Sequence, residues 1–235
     1  MLIACQNVSF GYDGHSVVRG LSFTVQKGDY LCIIGGNGSG KTTLIKGILR
    51  LLRPMQGSIT FSEDLRQNAI GYLSQQSAAK KDFPAGVFEI VLSGMAGGMG
   101  LRPFYSRGEK EAARENMERL EITDLSNRCF RELSGGQQRR VLIARALSAA
   151  AGALGRKRDT LLVLDEPASG LDAAATVELY KILTKLNEET ETTIIMVTHD
   201  IQAAEKYAGH VLRLKDGGYF FGSAADYKAQ AGYGG

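Results

Sequence analysis

Apolar and polar residues alternate from the start of the chain to about Asp29, as in Leu21-Ser22-Phe23-Thr24-Val25. A period of two puts alternate side chains on opposite faces of a strand. This stretch therefore predicts antiparallel strands, with turns at Asp13-Gly14 and Lys27-Gly28. The pattern then changes. Tyr30-Leu31-Cys32-Ile33-Ile34 is continuously apolar, as a strand covered on both faces of a parallel sheet must be. A glycine-rich loop follows, and helical spacing takes over at residues 43–49. Arg53-Pro54 and Gln56-Gly57 close that helix and lead into a strand at 58–61. Further strands are predicted at 69–74, 160–164 and 193–197.

Between about residues 80 and 129 the character becomes helical. Residues 87–94 carry helical spacing, 94–100 are glycine-rich, and 109–120 form a charged amphipathic helix. This section predicts a helical subdomain, at about 81–137, inserted into one domain whose core spans about 1–80 and 138–235. Residues 137–150 predict another helix, 151–159 an exposed loop, and 232–235 a frayed end.

Composition narrows the class. The chain has 235 residues, 44% hydrophobic and 23% charged, with a formal charge of +3. That is an ordinary globular mixture, and the charge is too small to point to nucleic acid. The basic run Arg156-Lys157-Arg158 reads as a solvated face. Cys5, Cys32 and Cys129 form no CxxC pair, so neither a disulfide framework nor a zinc ribbon is expected. The opening MLIACQNVSF lacks a basic leader and a long apolar core, so no secretory signal is expected. No apolar run approaches the ~20 residues of a membrane helix.

The candidate chemistry lies in three motifs. Gly35-Gly36-Asn37-Gly38-Ser39-Gly40-Lys41-Thr42 fits G-x-x-x-x-G-K-[ST] between a strand and a helix. Its glycines let backbone amides turn toward phosphate oxygens, beside the positive end of the helix. Lys41 would reach the β- and γ-phosphates of ATP, and the Thr42 hydroxyl would ligate Mg²⁺. In Leu161-Leu162-Val163-Leu164-Asp165-Glu166-Pro167 an apolar strand ends in two carboxylates. Asp165 could hold the Mg²⁺ ion through water, and Glu166 could act as general base on the attacking water. By itself this could equally be an acidic turn. Leu133-Ser134-Gly135-Gly136-Gln137 precedes a long helix. It could bind an anion there, or simply cap the helix.

Taken together and in this order, the three motifs resemble those of the ATP-binding cassette (ABC) ATPases, over about residues 8–222. The resemblance implies an α/β fold of the P-loop NTPase type, the ABC ATPase fold. That fold has a parallel core sheet, an N-terminal antiparallel β-subdomain and an inserted helical subdomain. Tyr12 corresponds to the aromatic that stacks on adenine, and Gln75 to the glutamine that touches Mg²⁺ or water. Ser169-Gly170-Leu171-Asp172 corresponds to the D-loop, and His199 to the switch histidine at the γ-phosphate. The implied nucleotide set runs through Gly35, Gly36, Asn37, Gly38, Ser39, Gly40, Lys41, Thr42 and Thr43. Ser134, Gly135, Gly136 and Gln137 complete it. Gly36 stands where the family often has proline, and the segment at 150–159 is longer than usual.

The family further implies a head-to-tail homodimer, an integral-membrane permease and a separate substrate-binding protein. The chain would then be cytoplasmic, peripheral on the inner face of the cell membrane. Residues 81–94 and 97–107 resemble the corresponding segments of zinc and manganese importer ATPases, so import of such a divalent metal is expected; the alternative is the ATPase of another importer or exporter, with these segments packed against an unrelated permease. Residues 83–104 are the expected permease contact. Three other classes fit less well. Soluble ABC proteins carry two cassettes or a coiled coil, and a P-loop kinase would lack the Ser134–Gln137 motif. A non-hydrolysing module would not need Glu166 and His199.

Overall fold

The computed structural model describes residues 1–65, 70–75, 84–151, 159–215 and 218–232. Strands β1 (Ile3–Tyr12) and β2 (His15–Val25) form a hairpin. Asp13 and Gly14 join them, with φ of 50° and 79°. Both central positions of a tight two-residue turn need positive φ, and Asp-Gly supplies that at low cost. After β3 (Tyr30–Gly35) and α1 (Lys41–Ile48) comes β4 (Gln56–Phe61). It returns to pair with β1, giving an antiparallel sheet of order β2-β1-β4.

The remaining elements are β5 (Ile70–Leu73), α2 (Val87–Ser93), α3 (Arg107–Arg119), α4 (Gly135–Ala151), β6 (Leu161–Asp165) and α5 (Ala173–Thr190). They are followed by β7 (Thr193–Val197), α6 (Ile201–Tyr207), β8 (His210–Lys215), β9 (Gly218–Ser223) and α7 (Ala224–Gly232). The second sheet has the order β5-β6-β7-β3-β8-β9. Its first five strands are parallel, and β9 closes the edge antiparallel to β8.

Strand alternation divides the interior in two. Tyr30, Cys32, Ile34, Leu162, Leu164, Ile194 and Met196 face a core built with the helices. Leu31, Ile33, Leu161, Val163, Ile195 and Val197 face the other way, onto Leu44, Ile45 and Ile48 of α1 and Ile3, Val8 and Phe10 of β1. The unbroken apolar runs of β3, β6 and β7 thus exist because both faces are covered. Burial pushes the thiol pKa of Cys32 far up in the first core, and that of Cys5 up to about 12 in the second. Both thiols therefore stay protonated and unreactive.

Helix α3 starts at a capping box in which the Ser106 hydroxyl accepts from the Glu109 amide and Glu109 accepts from the Ser106 amide. Arg102 also pairs with Glu109 at 2.9 Å. Helix α4 packs on α2, α3 and β5. Two glycines permit that approach. A Cβ at Gly71 would lie 2.2 Å from the Ala146 carbonyl oxygen, and one at Gly94 2.2 Å from that of Arg145. Backbone cannot yield as a side chain can, so Gly71→Val is expected to cost about 2–3 kcal/mol. Thermal melting would check this, and an unchanged midpoint would show that α4 can withdraw from β5.

The helix predicted at 137–150 begins two residues earlier and runs to Ala151. The basic run at 156–158 lies outside the described residues. The terminal fraying predicted from 232 meets a helix that still includes Gly232, and 233–235 are outside the described residues. So are 80–83 and residue 69.

Candidate nucleotide site

The loop between β3 and α1 turns through Gly38 and Gly40, at φ of 80° and 94°. These are left-handed conformations that glycine adopts without strain. Gly40 is doubly constrained, because a Cβ there would meet Val18 Cγ2 of β2 at 2.4 Å. Gly40 occupies the N-cap of α1 and offers no side-chain cap, so the first-turn amides are left for another acceptor. Lys41 folds back over the loop, its Nζ donating to the Gly35 and Gly36 carbonyl oxygens at 2.8 Å each. Burial lowers its pKa, while the charges of Glu166 and Asp165 oppose that shift. Among the described residues the Ser39 hydroxyl is buried without a partner. Free amides, an orphaned hydroxyl and a nearby ammonium suit a polyphosphate. Thr43 is buried, and Thr42 is exposed in the first turn of α1.

Because β5, β6, β7 and β3 are parallel neighbours, their carboxyl ends emerge along one edge, where ligands bind in open α/β sheets. Glu166 follows β6 with φ of 51°, and its amide donates to the Val197 carbonyl oxygen at 3.0 Å. One carboxylate oxygen, Oε1, lies 2.5 Å from His199 Nε2. The other, Oε2, accepts from Gln75 Nε2 at 2.9 Å. His199 is set by its flanking residues: the Thr198 amide donates to Ile33, and the Asp200 amide donates to the Thr198 hydroxyl at 3.0 Å.

Asp165 is buried, and burial followed by the charge of Glu166 raises its carboxyl pKa; Lys41, the Tyr72 hydroxyl and His199 work against the rise. A raised folded-state value means that the group's contribution to stability is present below the ordinary carboxylate range. It is lost as pH rises through the raised value. At neutral pH the charge therefore weakens the fold. Asp165→Asn is expected to raise the melting temperature at pH 7 by about 2–4 °C, the effect of ~1 kcal/mol in a chain of this size. A lower melting temperature would mean that the contacts to Lys41 and Tyr72 outweigh the burial.

The other predicted residues lie around this centre. Tyr12 ends β1 with 43% of its surface exposed. Lys46 of α1 donates to its hydroxyl at 3.1 Å and lowers its pKa. Ser134 and Gln137 form a reciprocal cap on α4, the Ser134 amide donating to Gln137 Oε1 at 3.0 Å and the Gln137 amide to Ser134 Oγ at 3.3 Å. A Cβ added at Gly135 would meet the Leu171 side chain at 3.6 Å, and one at Gly136 that of Ala175 at 3.2 Å, both past Glu166 in the chain. Within one copy, then, Gln75, Glu166 and His199 meet, while Ser134 and Gln137 bond to each other and Gly135 and Gly136 lie against Leu171 and Ala175. Two features escape the sequence motifs. A cleft of about 420 Å³ beside the loop adds Arg213 and Lys215 to Asn37, Ser39 and His199. The Tyr72 hydroxyl reaches Asp165. Strand alternation does place Tyr72 on the face opposite Gly71 and Leu73, but nothing in the sequence names its partner.

Residues 18–169 match the family model described as ABC transporter. The chain belongs to the ABC transporter family. It is an ATPase that binds and hydrolyses ATP. Over 233 residues it is 40% identical to the zinc uptake system ATP-binding protein ZurA of Listeria innocua, covering 97% of this chain and 88% of that protein. It is 34% identical to the manganese transport system ATP-binding protein MntB of Bacillus subtilis, covering 90% and 82%. Its fold superposes on a dimeric ATP-binding cassette in a post-hydrolysis state bound to ADP and Pi, with a TM-score of 0.73 and 26% identity. That match covers 95% of this chain and 99% of the other. No helix among the described residues of this ABC ATPase is long and apolar enough to cross a membrane.

Proposed function

We propose that this ABC ATPase powers uptake of a divalent metal, zinc or manganese, through a separate integral-membrane permease, with a separate substrate-binding protein delivering the metal. The chain would sit in the cytoplasm against the inner face of the membrane. The observation that carries this reading is the 40% identity with a zinc uptake ATP-binding protein over 97% of the chain. In cells whose copy carries Glu166→Gln, accumulation of zinc or manganese should fall to the level of a deletion. Unchanged uptake of both metals would sink the cargo assignment.

The residues divide the work as follows. Backbone amides of the loop, Gly35 to Gly40, and the Lys41 ammonium hold the phosphates, with Thr43 buried behind them. Tyr12 offers its exposed ring to the adenine. Thr42, Asp165 and Gln75 present hydroxyl, carboxylate and amide oxygens, an all-oxygen donor set that suits Mg²⁺. Bound Mg²⁺ neutralises charge on the phosphates. Glu166 takes a proton from the attacking water, and His199 and Gln75 orient its two oxygens. Catalysis is mostly positioning and charge stabilisation. The helical elements at 81–137 form an inserted subdomain on a core made of 1–80 and 138–235, and the permease docks along 83–104.

Ser134, Gly135, Gly136 and Gln137 complete the site of a second copy, arranged head to tail. Size-exclusion chromatography of Glu166→Gln with MgATP should give a dimer, and with MgADP a monomer. A monomer in both, with ATP demonstrably bound, would remove the homodimer and leave a different partner chain to close the site.

A further inference from the structure

We propose that Arg139 is a positioning residue for Glu166, bracing the backbone turn that presents the carboxylate; this rests on Glu166 being the base. Arg139 lies near the start of α4, and its Nη2 donates to the Ser169 carbonyl oxygen at 3.1 Å. The Ser169 amide in turn donates to the carbonyl oxygen of Glu166 at 3.1 Å. Two hydrogen bonds thus lead from the helix to the main chain of the base. That main chain needs support, because its φ of 51° is a left-handed conformation that a side-chain-bearing residue holds only when its surroundings enforce it. The Val197 carbonyl pins the amide side of Glu166, and the turn braced by Arg139 pins the carbonyl side. A guanidinium suits this task, since a charged donor makes the stronger bond.

The helix is seated so that Arg139 arrives in place. Gly136 would carry a Cβ 3.2 Å from that of Ala175, and Arg140 pairs with Glu178 of α5 at 3.4 Å. The same helix begins at Ser134–Gln137. In a head-to-tail dimer, the segment that closes over the partner's ATP is therefore tied through Arg139 to the base acting on its own ATP. A shift of α4 in one site is transmitted to the Glu166 backbone in the other, which is a physical route for coupling between the two.

Arg139→Met keeps the aliphatic stem and removes the donor. Its kcat for ATP should fall about tenfold, the worth of one bond from a charged donor. KM, and the Kd for a fluorescent ATP analogue, should stay within about twofold. Arg139→Lys retains a cation that reaches the carbonyl and should recover most of the rate. Combined with Glu166→Gln, Arg139→Met should leave the residual rate unchanged, which a general packing role would not predict. A kcat for Arg139→Met within about twofold of the parent overturns the proposal, as does an equal loss in the Glu166→Gln background. Should Arg139→Met melt below the assay temperature, Arg139→Gln, too short to reach Ser169, replaces it with the same two outcomes. Failure of the base assignment shows separately, as Glu166→Gln alone retaining its turnover.

Discussion

Glu166→Gln is expected to lower ATP turnover by about 10²- to 10⁴-fold, the usual worth of a placed general base, while nucleotide binding persists. The side chain keeps its shape, so the loop at 35–42 is undisturbed. It loses the negative oxygen proposed to accept a proton. It also loses one of its two fixed partners, because His199 and Gln75 both aim donors at it and an amide has only one acceptor oxygen. Loss of the charge removes one of the causes that raise the pKa of Asp165, so the neighbouring carboxylate ionises more readily and the proposed Mg²⁺ site is not weakened. Phosphate release measured beside calorimetric ATP binding separates the two effects. Turnover within about threefold of the parent would show that another group activates the water.

Lys41→Ala should act on binding first. The ammonium now spans the Gly35 and Gly36 carbonyls, close to where phosphate oxygens would sit. Its removal deletes one or two charge-assisted bonds of ~1.5–3 kcal/mol each. The Kd for ATP is therefore expected to rise by about 10- to 10⁴-fold. The fold should survive, because the loop's turns are set by Gly38 and Gly40 and by the Ser39 amide donating to Gly36 at 3.3 Å. Calorimetric titration with MgATP measures this directly, and an unchanged Kd would mean that Lys41 serves the loop rather than the phosphates.

Much of the fold follows from local pattern. Strands β3, β6 and β7 are legible as unbroken apolar runs and the β1–β2 turn as Asp-Gly, while the Ser106–Glu109 spacing fits a cap. Helix α5 obeys the same rule: Leu179, Ile182, Leu183 and Leu186 recur on one face and are buried, and Asp172 caps the first turn by accepting from the Ala175 amide. Residues 173–190 nevertheless carry no chemical motif. Strand β4 is legible as a strand, but not as a member of the smaller sheet. Its pairing with β1 joins residues about fifty positions apart, and local periodicity contains no such term.

The sequence by itself determined the chemistry available. It supplies a glycine loop ending in Lys41 and Thr42, a strand ending in Asp165 and Glu166, a histidine after a third strand, and a capped Ser134–Gln137 turn. These depend on residue type and short spacing, which the chain carries directly. Only the tertiary structure decided how the parts face one another. Gln75 meets Glu166 across 91 positions of sequence, because β5 and β6 are neighbours in a parallel sheet. Glu166 takes a left-handed backbone because β7 holds its amide and the turn after it closes on its carbonyl. Residues 135–139 at the start of α4 meet the 169–175 segment, some thirty positions further along the chain. Such relations arise from strand order and helix seating, which minimise exposed apolar surface and unpaired backbone over the whole chain and so cannot be read from any one segment of it.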